Sequence, residues 1–430
     1  MNSDHVMKNV HDELQRRFRI AGRGAVSRVQ EQLHLGAGYF RDLRRPGRRR
    51  FDLRVLLEAL GALQVDAAEF FSSVLGTADP IQTFKAEAAY LRRRQKRTPR
   101  ILELLEERTG SENEHLDLSA LAAEFRDQPR QVRQRAMAWV RRIHPDQLAQ
   151  LLAIYGSACR VSVQLEVAQI VLAEALEMAE ESKDLTSQAE ILMRCSYVLA
   201  ARLNYKGAAE LVEKSVLLYT RARNSLGIGK ALLDLANWNV AMENQQEGLE
   251  LYRAALEHLP ESSANLEARA NRYSCFCNIG RLHMSEGNLG KARDYIRQAQ
   301  EVSEGLDASL QGKAMWLEAQ IYRREDRLDH AERLYREAIG VFQDRSPLDV
   351  AVLSVELTRV QFLQHKIQQA YATAKTMTTL LFPLESNPIA AAAITEMIRC
   401  ALEGRGLTLQ LIDEVSRKLN PDQKEAVASS

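Results

Sequence analysis

The sequence predicts an all-α protein, in which a small five-helix N-terminal domain precedes an α-solenoid of helical hairpins. The chain of 430 residues holds only 21 glycines and 10 prolines, whereas residues of high helix propensity such as alanine, leucine, glutamate and arginine are abundant. Alternating runs of β-branched residues bounded by turns, which mark strands, are almost absent. Small residues recur at a fixed spacing from residue 150 onward, which indicates a repeat.

The chain is too long for one hydrophobic core, and its charges are unevenly distributed. Residues 1–100 carry 20 Lys and Arg against 11 Asp and Glu, and within 16–54 the count is 12 against 3. A basic head on an acidic body indicates that the head binds a polyanion. We expect four segments: a basic N-terminal domain over 1–76, a helical connector over 77–148, the solenoid over 149–420 and a tail over 421–430.

Five short helical patterns make up the predicted N-terminal domain. They cover 6–22, 25–35, 37–45, 52–63 and 66–75, with glycines at the breaks or near the helix ends. The apolar residues on their inner faces form the expected core: Leu14, Val29, Leu33, Phe40, Leu43, Leu56, Leu60, Phe70 and Phe71.

The order and spacing of these helices resemble the phage-repressor class of helix-turn-helix domain, most closely in LRVLLEALGALQVDAAEFF (53–71). The resemblance makes 25–35 the first helix of the motif and 37–45 the recognition helix that enters the major groove. It implies double-stranded DNA as partner, with contacts from Arg28, Ala37, Gly38, Tyr39, Arg41, Asp42, Arg44, Arg45, Arg48, Arg49 and Arg50.

Some of these positions depart from the family pattern. Gln30 stands where a small residue usually lets the two helices cross, and the base-reading positions hold Ala37, Gly38 and Asp42, which read bases poorly. The arginines are placed to contact phosphates instead. The head is therefore expected to bind the DNA backbone more clearly than it reads a sequence.

The repeat has a constant internal spacing: a small residue, a second one twelve positions later and a third seven positions after that. Six sets follow it: Gly156, Ala168, Ala175; Ser196, Ala208, Ser215; Ala236, Gly248, Ala255; Gly280, Ala292, Ala299; Ala319, Ala331, Ala338; and the degraded Thr358, Ala370, Met377. The spacing predicts helical hairpins in which the first small residue lets helix A approach helix B, and the other two lie on one face of helix B.

This pattern resembles the tetratricopeptide repeat over roughly 150–380, most clearly in LANWNVAMENQQEGLELYRAALEHLP (235–260). The middle residue steps by 39 to 44 positions, more than the family's usual period of about 34, so we expect longer helices or longer loops between repeats. Residues 389–420 are expected to form a terminal hairpin, because a solenoid needs a capping end.

The resemblance implies that helix A lines a groove that binds a peptide or protein ligand. Asn and Gln side chains there can pair with backbone amides, and Arg can hold a carboxylate. The candidate groove residues are Tyr197, Asn237, Arg281, Trp316, Gln320, Arg323 and Arg359.

Nothing in the sequence indicates catalysis, a cofactor or a metal site. The nine histidines are dispersed, and Cys275 and Cys277 are spaced to point to different faces of a helix. SLGIGKALL (225–233) lacks the spacing of a phosphate-binding loop. We also expect no membrane segment and, with five scattered cysteines, a reduced cytoplasmic protein.

The domain order resembles the peptide-sensing transcription regulators of bacteria. In that family the solenoid binds a signalling peptide and dimerises, and the coupled heads bind paired operator half-sites. The resemblance implies a DNA-binding regulator, compatible with a homodimer, whose solenoid senses a ligand. Two alternatives stay open: a protein-interaction scaffold with a degraded, non-reading head, or an active head whose solenoid binds another protein.

Overall fold

A computed structural model describes residues 14, 16–17, 25–32, 59–60, 63, 79–94, 98–107, 114–124, 128–261, 264–382, 384 and 388–419. The regular secondary structure of this part of the chain is helical, apart from one isolated parallel bridge between Glu114 and Ile143. The predicted all-α class of successive hairpins is confirmed. The chain divides into two compact units, Met1–Ala222 and Arg223–Ser430.

The described part of the first unit holds nine α-helices, of which the last four form two hairpins. The helices are α1 (Ala25–Gln32), α2 (Pro80–Arg94), α3 (Arg100–Glu106), α4 (Ser119–Glu124), α5 (Pro129–Trp139), α6 (Leu148–Val161), α7 (Leu165–Glu181), α8 (Leu185–Ala201) and α9 (Tyr205–Arg221). A 3-10 turn, Pro145–Gln147, leads into α6. The hairpins are α6–α7 and α8–α9.

The described part of the second unit continues the pattern with four hairpins and a terminal pair. Its helices are α10 (Ser225–Ala241), α11 (Gln245–His258), α12 (Leu266–Ser285), α13 (Leu289–Ser303), α14 (Ala308–Arg324), α15 (Leu328–Phe342), α16 (Pro347–Leu363), α17 (Ile367–Thr376), α18 (Pro388–Glu403) and α19 (Leu409–Leu419). The pair α18–α19 is the terminal hairpin that the sequence predicts. Even-numbered helices from α6 to α16 are called A helices below, and their partners α7 to α17 are called B helices.

The structure describes only part of the predicted N-terminal domain. Helix α1 lies inside the predicted helix 25–35, and Leu14, Val29 and Leu60 are buried as expected. The side chain of Arg28 is exposed on α1. The other DNA-contact candidates, from Ala37 to Arg50, lie outside the described residues.

All eighteen residues of the small-residue spacing are buried. Three are glycines at which a side chain would meet the partner helix. A Cβ on Gly156 would lie 2.7 Å from Cγ of Leu172, and one on Gly280 would lie 2.9 Å from Cδ1 of Ile296. The spacing therefore marks the points where the helices of a hairpin approach most closely, as the sequence predicts.

The long period is explained by long helices. Helices α7, α8 and α9 each have 17 residues and α12 has 20. The largest step, 44 residues, falls where the chain crosses from His258 to Leu266 and enters α12, the longest of the described helices.

Every A helix ends in the same turn. The residues Val163, Leu203, Glu243, Gly287, Asp326 and His365 have φ between +55° and +77°. In each case the next amide donates to the carbonyl five residues back, as from Gln164 to Cys159 at 2.9 Å. This is the Schellman motif, which usually uses glycine in the left-handed position. Only Gly287 follows that preference, so the sequence did not reveal the motif.

Glu332 on α15 is a buried carboxylate whose hydrogen bonds predict a response to pH. Burial alone would raise its pKa, but hydrogen bonds from Lys366 (2.7 Å), Arg336 (2.8 Å) and Gln361 (3.4 Å) lower that pKa to about 2. Because the folded pKa lies below the unfolded value, the stabilisation is present above about pH 4.5 and is lost as the pH falls towards 2.

We therefore expect Glu332→Gln to flatten the fall in unfolding free energy between pH 5 and pH 2.5. Urea unfolding at several pH values would measure it, with Glu301→Gln, an exposed acid on α13, as control. Parallel pH curves for wild type and Glu332→Gln would contradict the assignment.

All five cysteines are buried and unpaired: Cys159, Cys195, Cys275, Cys277 and Cys400. Burial raises the pKa of each thiol, most strongly at Cys195. No helix in the described ranges is long and apolar enough to cross a membrane.

Candidate functional site

Most of the predicted ligand-binding residues share one position in the repeat. They stand directly after the first small residue of each set. In the first unit this position holds Ser157 and Tyr197. Ser157 Oγ accepts a hydrogen bond from Arg194 at 2.9 Å, and the guanidinium of Arg160 lies 5.5 Å from the centre of the Tyr197 ring. Both contacts join α6 to α8. Tyr197 is half-buried and stacks beneath a cation.

In the second unit the same position holds Asn237 on α10, where it joins two A helices. Its Oδ1 accepts hydrogen bonds from the hydroxyl of Tyr252 at 2.7 Å and from Nδ2 of Asn278 at 2.9 Å. Asn278 lies two residues before the small residue of α12, a position that the sequence analysis did not consider. The amide nitrogen of Asn237 donates to no other described residue and remains available to a ligand.

Arg281 takes this position on α12. Its side chain is exposed, and it forms neither an ion pair nor a hydrogen bond with another described residue. It therefore adds a positive charge that is available for a ligand, beside the pair formed by Asn237 and Asn278.

Three predicted residues, Trp316, Gln320 and Arg323, form a row along α14 that we call the donor stripe. Their spacing of four and three residues places them on one side of the helix. Gln320 is 7% exposed and Trp316 is half-buried. Trp316 Nε1, Gln320 Nε2 and Arg323 Nε are buried and lack a hydrogen-bond partner in the described part of the chain. A buried donor left unpaired costs about 1–3 kcal/mol. A hydrogen-bond acceptor placed against the donor stripe would remove that cost.

The last predicted residue, Arg359 on α16, is already engaged. It donates to both carboxylate oxygens of Glu356, at 2.8 and 2.9 Å, and pairs with Asp413 of α19 at 2.8 Å. Glu356 is 1% exposed and also accepts from Ser416 Oγ of α19 at 2.7 Å. Its other oxygen lies 3.7 Å from Arg323 Nε. The terminal hairpin thus supplies the partners of the A-helix face at the last repeat.

The structure therefore separates the predicted residues of the second unit into two groups. Asn237, Arg281, Trp316 and Gln320 keep donor groups that no described residue uses, whereas Arg359 is bound within the chain and Arg323 lies beside the same buried carboxylate. Glu356, Asp413 and Ser416 were not predicted from the sequence as part of this face. Asp413 and Ser416 are more than 50 residues from Glu356 along the chain, and no local pattern links them.

Comparison with known proteins supports the repeat. A family model of the tetratricopeptide repeat matches residues 273–305, which cover most of α12 and all of α13. The spacing of small residues therefore belongs to a tetratricopeptide repeat at this hairpin. Curated proteins give no match to the chain.

Several solved structures are similar in fold. The apo form of the quorum sensor NprR from B. thuringiensis has 13% identity and a TM-score of 0.47, over 97% of this chain and 98% of that one. Aspartyl phosphate phosphatase F from Bacillus subtilis has 11% identity and a TM-score of 0.46, over 88% and 94%. BtubC (BKLC) from P. vanneervenii has 16% identity and a TM-score of 0.41, over 53% and 91%. At these identities the likeness is one of helical architecture alone.

Proposed function

We propose that the protein is a regulator whose tetratricopeptide repeats bind an extended peptide or protein segment on the face of the A helices, and whose N-terminal domain binds double-stranded DNA. The observation that carries the first part is the pair of buried, unpaired donors in the donor stripe, Trp316 Nε1 and Gln320 Nε2. Buried N–H groups without acceptors are rare in folded proteins, and a ligand that brings carbonyl or carboxylate oxygens would satisfy them.

The row formed by Asn237, Arg281 and Gln320 supports an extended ligand. These residues take the same position on three successive A helices, and each has an N–H group that no described residue uses. Packed helices lie about 8–10 Å apart, which is about three residues of an extended chain at 3.3–3.6 Å each. Each hairpin would therefore contact every third residue of the ligand, through its backbone carbonyls or an acidic side chain.

Replacing Gln320 with leucine tests this part. Leucine has a similar size but no N–H group, so we expect the unfolding free energy to rise by about 1 kcal/mol, because a buried unpaired donor is removed. Affinity for peptides should fall about tenfold, the effect of one lost hydrogen bond worth about 1.4 kcal/mol. Peptides selected from a displayed random library on the full chain would be titrated by fluorescence polarisation.

The control for this experiment is Gln246→Leu, at an exposed glutamine on the B helix α11, which should leave peptide affinity unchanged. Trp316→Phe, which removes the indole N–H and keeps an aromatic ring, should weaken binding in the same direction as Gln320→Leu. Wild-type affinity in both stripe variants would refute the proposed binding face.

The DNA-binding part rests on the basic segment 16–54, on the helix-turn-helix resemblance and on the exposed Arg28 of α1. We expect the full chain to bind duplex DNA at low ionic strength, with an affinity that falls steeply as salt is added. The double change Arg44→Glu with Arg48→Glu should abolish that binding. Arg297→Glu with Arg333→Glu, at two exposed arginines of the repeats, should not. No duplex binding by wild type would overturn this part.

In the regulatory mechanism that follows from both parts, two copies of the chain would bind paired half-sites. A ligand on the A-helix face would favour one curvature of the solenoid and hence one spacing of the two heads.

The second candidate function is a protein-interaction scaffold with a non-reading head. Buried Gln30, where the family has a small residue at the helix crossing, favours it. Under that reading the double change at Arg44 and Arg48 leaves partner binding intact.

A further inference from the structure

A cavity of about 350 Å³ lies in the first unit, between the connector segment Leu116–Ala122 and the A helices α6 and α8. Its lining includes no residue of the donor stripe and none of the described residues of the N-terminal domain. Ligand pockets usually range from about 300 to 1,000 Å³, so this cavity has room for a small molecule or for the end residue of a longer one.

The connector wall of the cavity is held in place by specific hydrogen bonds. The side-chain amide of Gln147 pairs with both backbone groups of Leu116: its Oε1 accepts from the Leu116 amide at 2.9 Å, and its Nε2 donates to the Leu116 carbonyl at 2.8 Å. Glu114 adds a parallel bridge, donating to Arg142 O at 2.7 Å and accepting from His144 N at 2.8 Å. One wall of this open cavity is therefore formed by anchored chain.

The charged residues that line the cavity are Asp117, Glu190 and Arg194. Arg194 donates to Glu190 at 2.7 Å and to Ser157 at 2.9 Å, so its positive charge is compensated inside the wall. Hydrogen bonds from the Ser119 hydroxyl and amide lower the pKa of Asp117, which keeps that carboxylate ionised. Among the described residues that line the cavity, two carboxylates accompany one guanidinium, which is an excess of one negative charge.

The remaining acceptors also favour a cation that can donate hydrogen bonds. Both hydrogen bonds from Ser119 go to Oδ1 of Asp117, so Oδ2 has no partner among the residues described here. The side-chain amide of Gln150, also in the lining, makes no hydrogen bond with a described residue. The buried side chains of Ile154 and Ile191 give the cavity an apolar wall. Acceptors beside an apolar wall match a primary ammonium group on a small apolar body.

We propose that this cavity binds a primary ammonium group, through Asp117 Oδ2 and the Gln150 carbonyl oxygen, with the attached apolar group against Ile154 and Ile191. The ammonium belongs either to a free small amine or to the N-terminus of a peptide. The second source rests on the proposed function, whereas the ammonium site itself does not.

Leucinamide, which has an ammonium and an isobutyl group but no carboxylate, is a suitable probe for the full chain. We expect it to bind in saturation-transfer NMR and calorimetric titrations, and N-acetylleucinamide to bind at least tenfold more weakly. Asp117→Asn should weaken leucinamide binding about tenfold, because the negative charge that holds the ammonium group is removed. Asparagine can still accept both hydrogen bonds from Ser119, so we expect the fold to be preserved.

Glu213→Gln, at an exposed acid on α9 outside the cavity, should leave binding unchanged, and circular dichroism melting would verify that each variant is folded. Tighter binding of Leu-Ala-Ala-amide than of leucinamide would support the peptide terminus. Binding of leucinamide alone would support a small amine. Equal binding of the acetylated probe, or wild-type binding by Asp117→Asn, would overturn the site. Gln320→Leu should not affect leucinamide, so failure of the proposed function would be seen separately.

Discussion

Replacement of Glu356 by alanine is expected to destabilise the second unit by about 3–5 kcal/mol, the effect of removing one partner from a buried ion pair. Glu356 is 1% exposed and accepts hydrogen bonds from Arg359 Nη1 at 2.8 Å and from Ser416 Oγ at 2.7 Å, and its carboxylate lies 3.7 Å from Arg323 Nε. Without the carboxylate, two guanidinium groups would face each other in a buried site, and α19 would lose one of its two polar contacts to α16.

Urea unfolding followed by circular dichroism would measure the loss, and hydrogen exchange would show whether α19 opens first. Glu301→Ala, at an exposed acid on α13, should change the unfolding free energy by no more than about 0.5 kcal/mol. Glu356→Gln keeps the shape but not the charge and should fall between the two. A loss below 1 kcal/mol in Glu356→Ala would mean that water replaces the carboxylate freely.

A pair of glycine-to-alanine changes is expected to act in opposite directions. Gly248 on α11 is buried, and a Cβ there would lie 2.5 Å from Cγ2 of Val240 and 3.3 Å from the carbonyl oxygen of Ala236. Valine has one strongly preferred rotamer in a helix, so it cannot easily turn away. Gly248→Ala should therefore destabilise by about 1–3 kcal/mol through overpacking.

Gly340 on α15 is the matched control, because a Cβ there meets nothing within 4 Å. Gly340→Ala should stabilise the chain by up to about 1 kcal/mol, the gain in helix propensity. Both changes are read from thermal and urea unfolding of the full chain. If both variants gained stability, the small-residue spacing would reflect composition and not close contact between helices.

The hairpins were predictable because each depends on short-range information. The spacing of twelve and seven residues arises from contacts between residues within about 30 positions of each other. All eighteen residues of this spacing are buried. The connector was less predictable. Its extended segment at Leu116 is held by Gln147, 31 residues away, and neither residue belongs to a periodic pattern.

The sequence could predict where the candidate site residues lie on the A helices, but not which residues they contact. The register of the A helices puts Asn237, Arg281 and Gln320 at equivalent points of successive hairpins, and their role in ligand binding stays a prediction. The register could not show that Arg359 already has acidic partners, because Asp413 approaches it only after the terminal hairpin has folded back. The cavity at Asp117 was missed for a similar reason: half of it is connector and half is repeat.

The turns between A and B helices have a consequence for how close the protein is to its greatest attainable stability. Five of the six left-handed positions hold a side chain, and an ordinary residue pays about 1–2 kcal/mol in that conformation. Val163 and Leu203 are also exposed apolar residues, with 80% and 76% of their surface accessible. Glycine or asparagine at each of these turns would remove much of that strain. Substitutions at these turns would therefore raise the thermal stability of the chain above its natural value. This is expected of a protein selected to remain folded and not to be maximally stable.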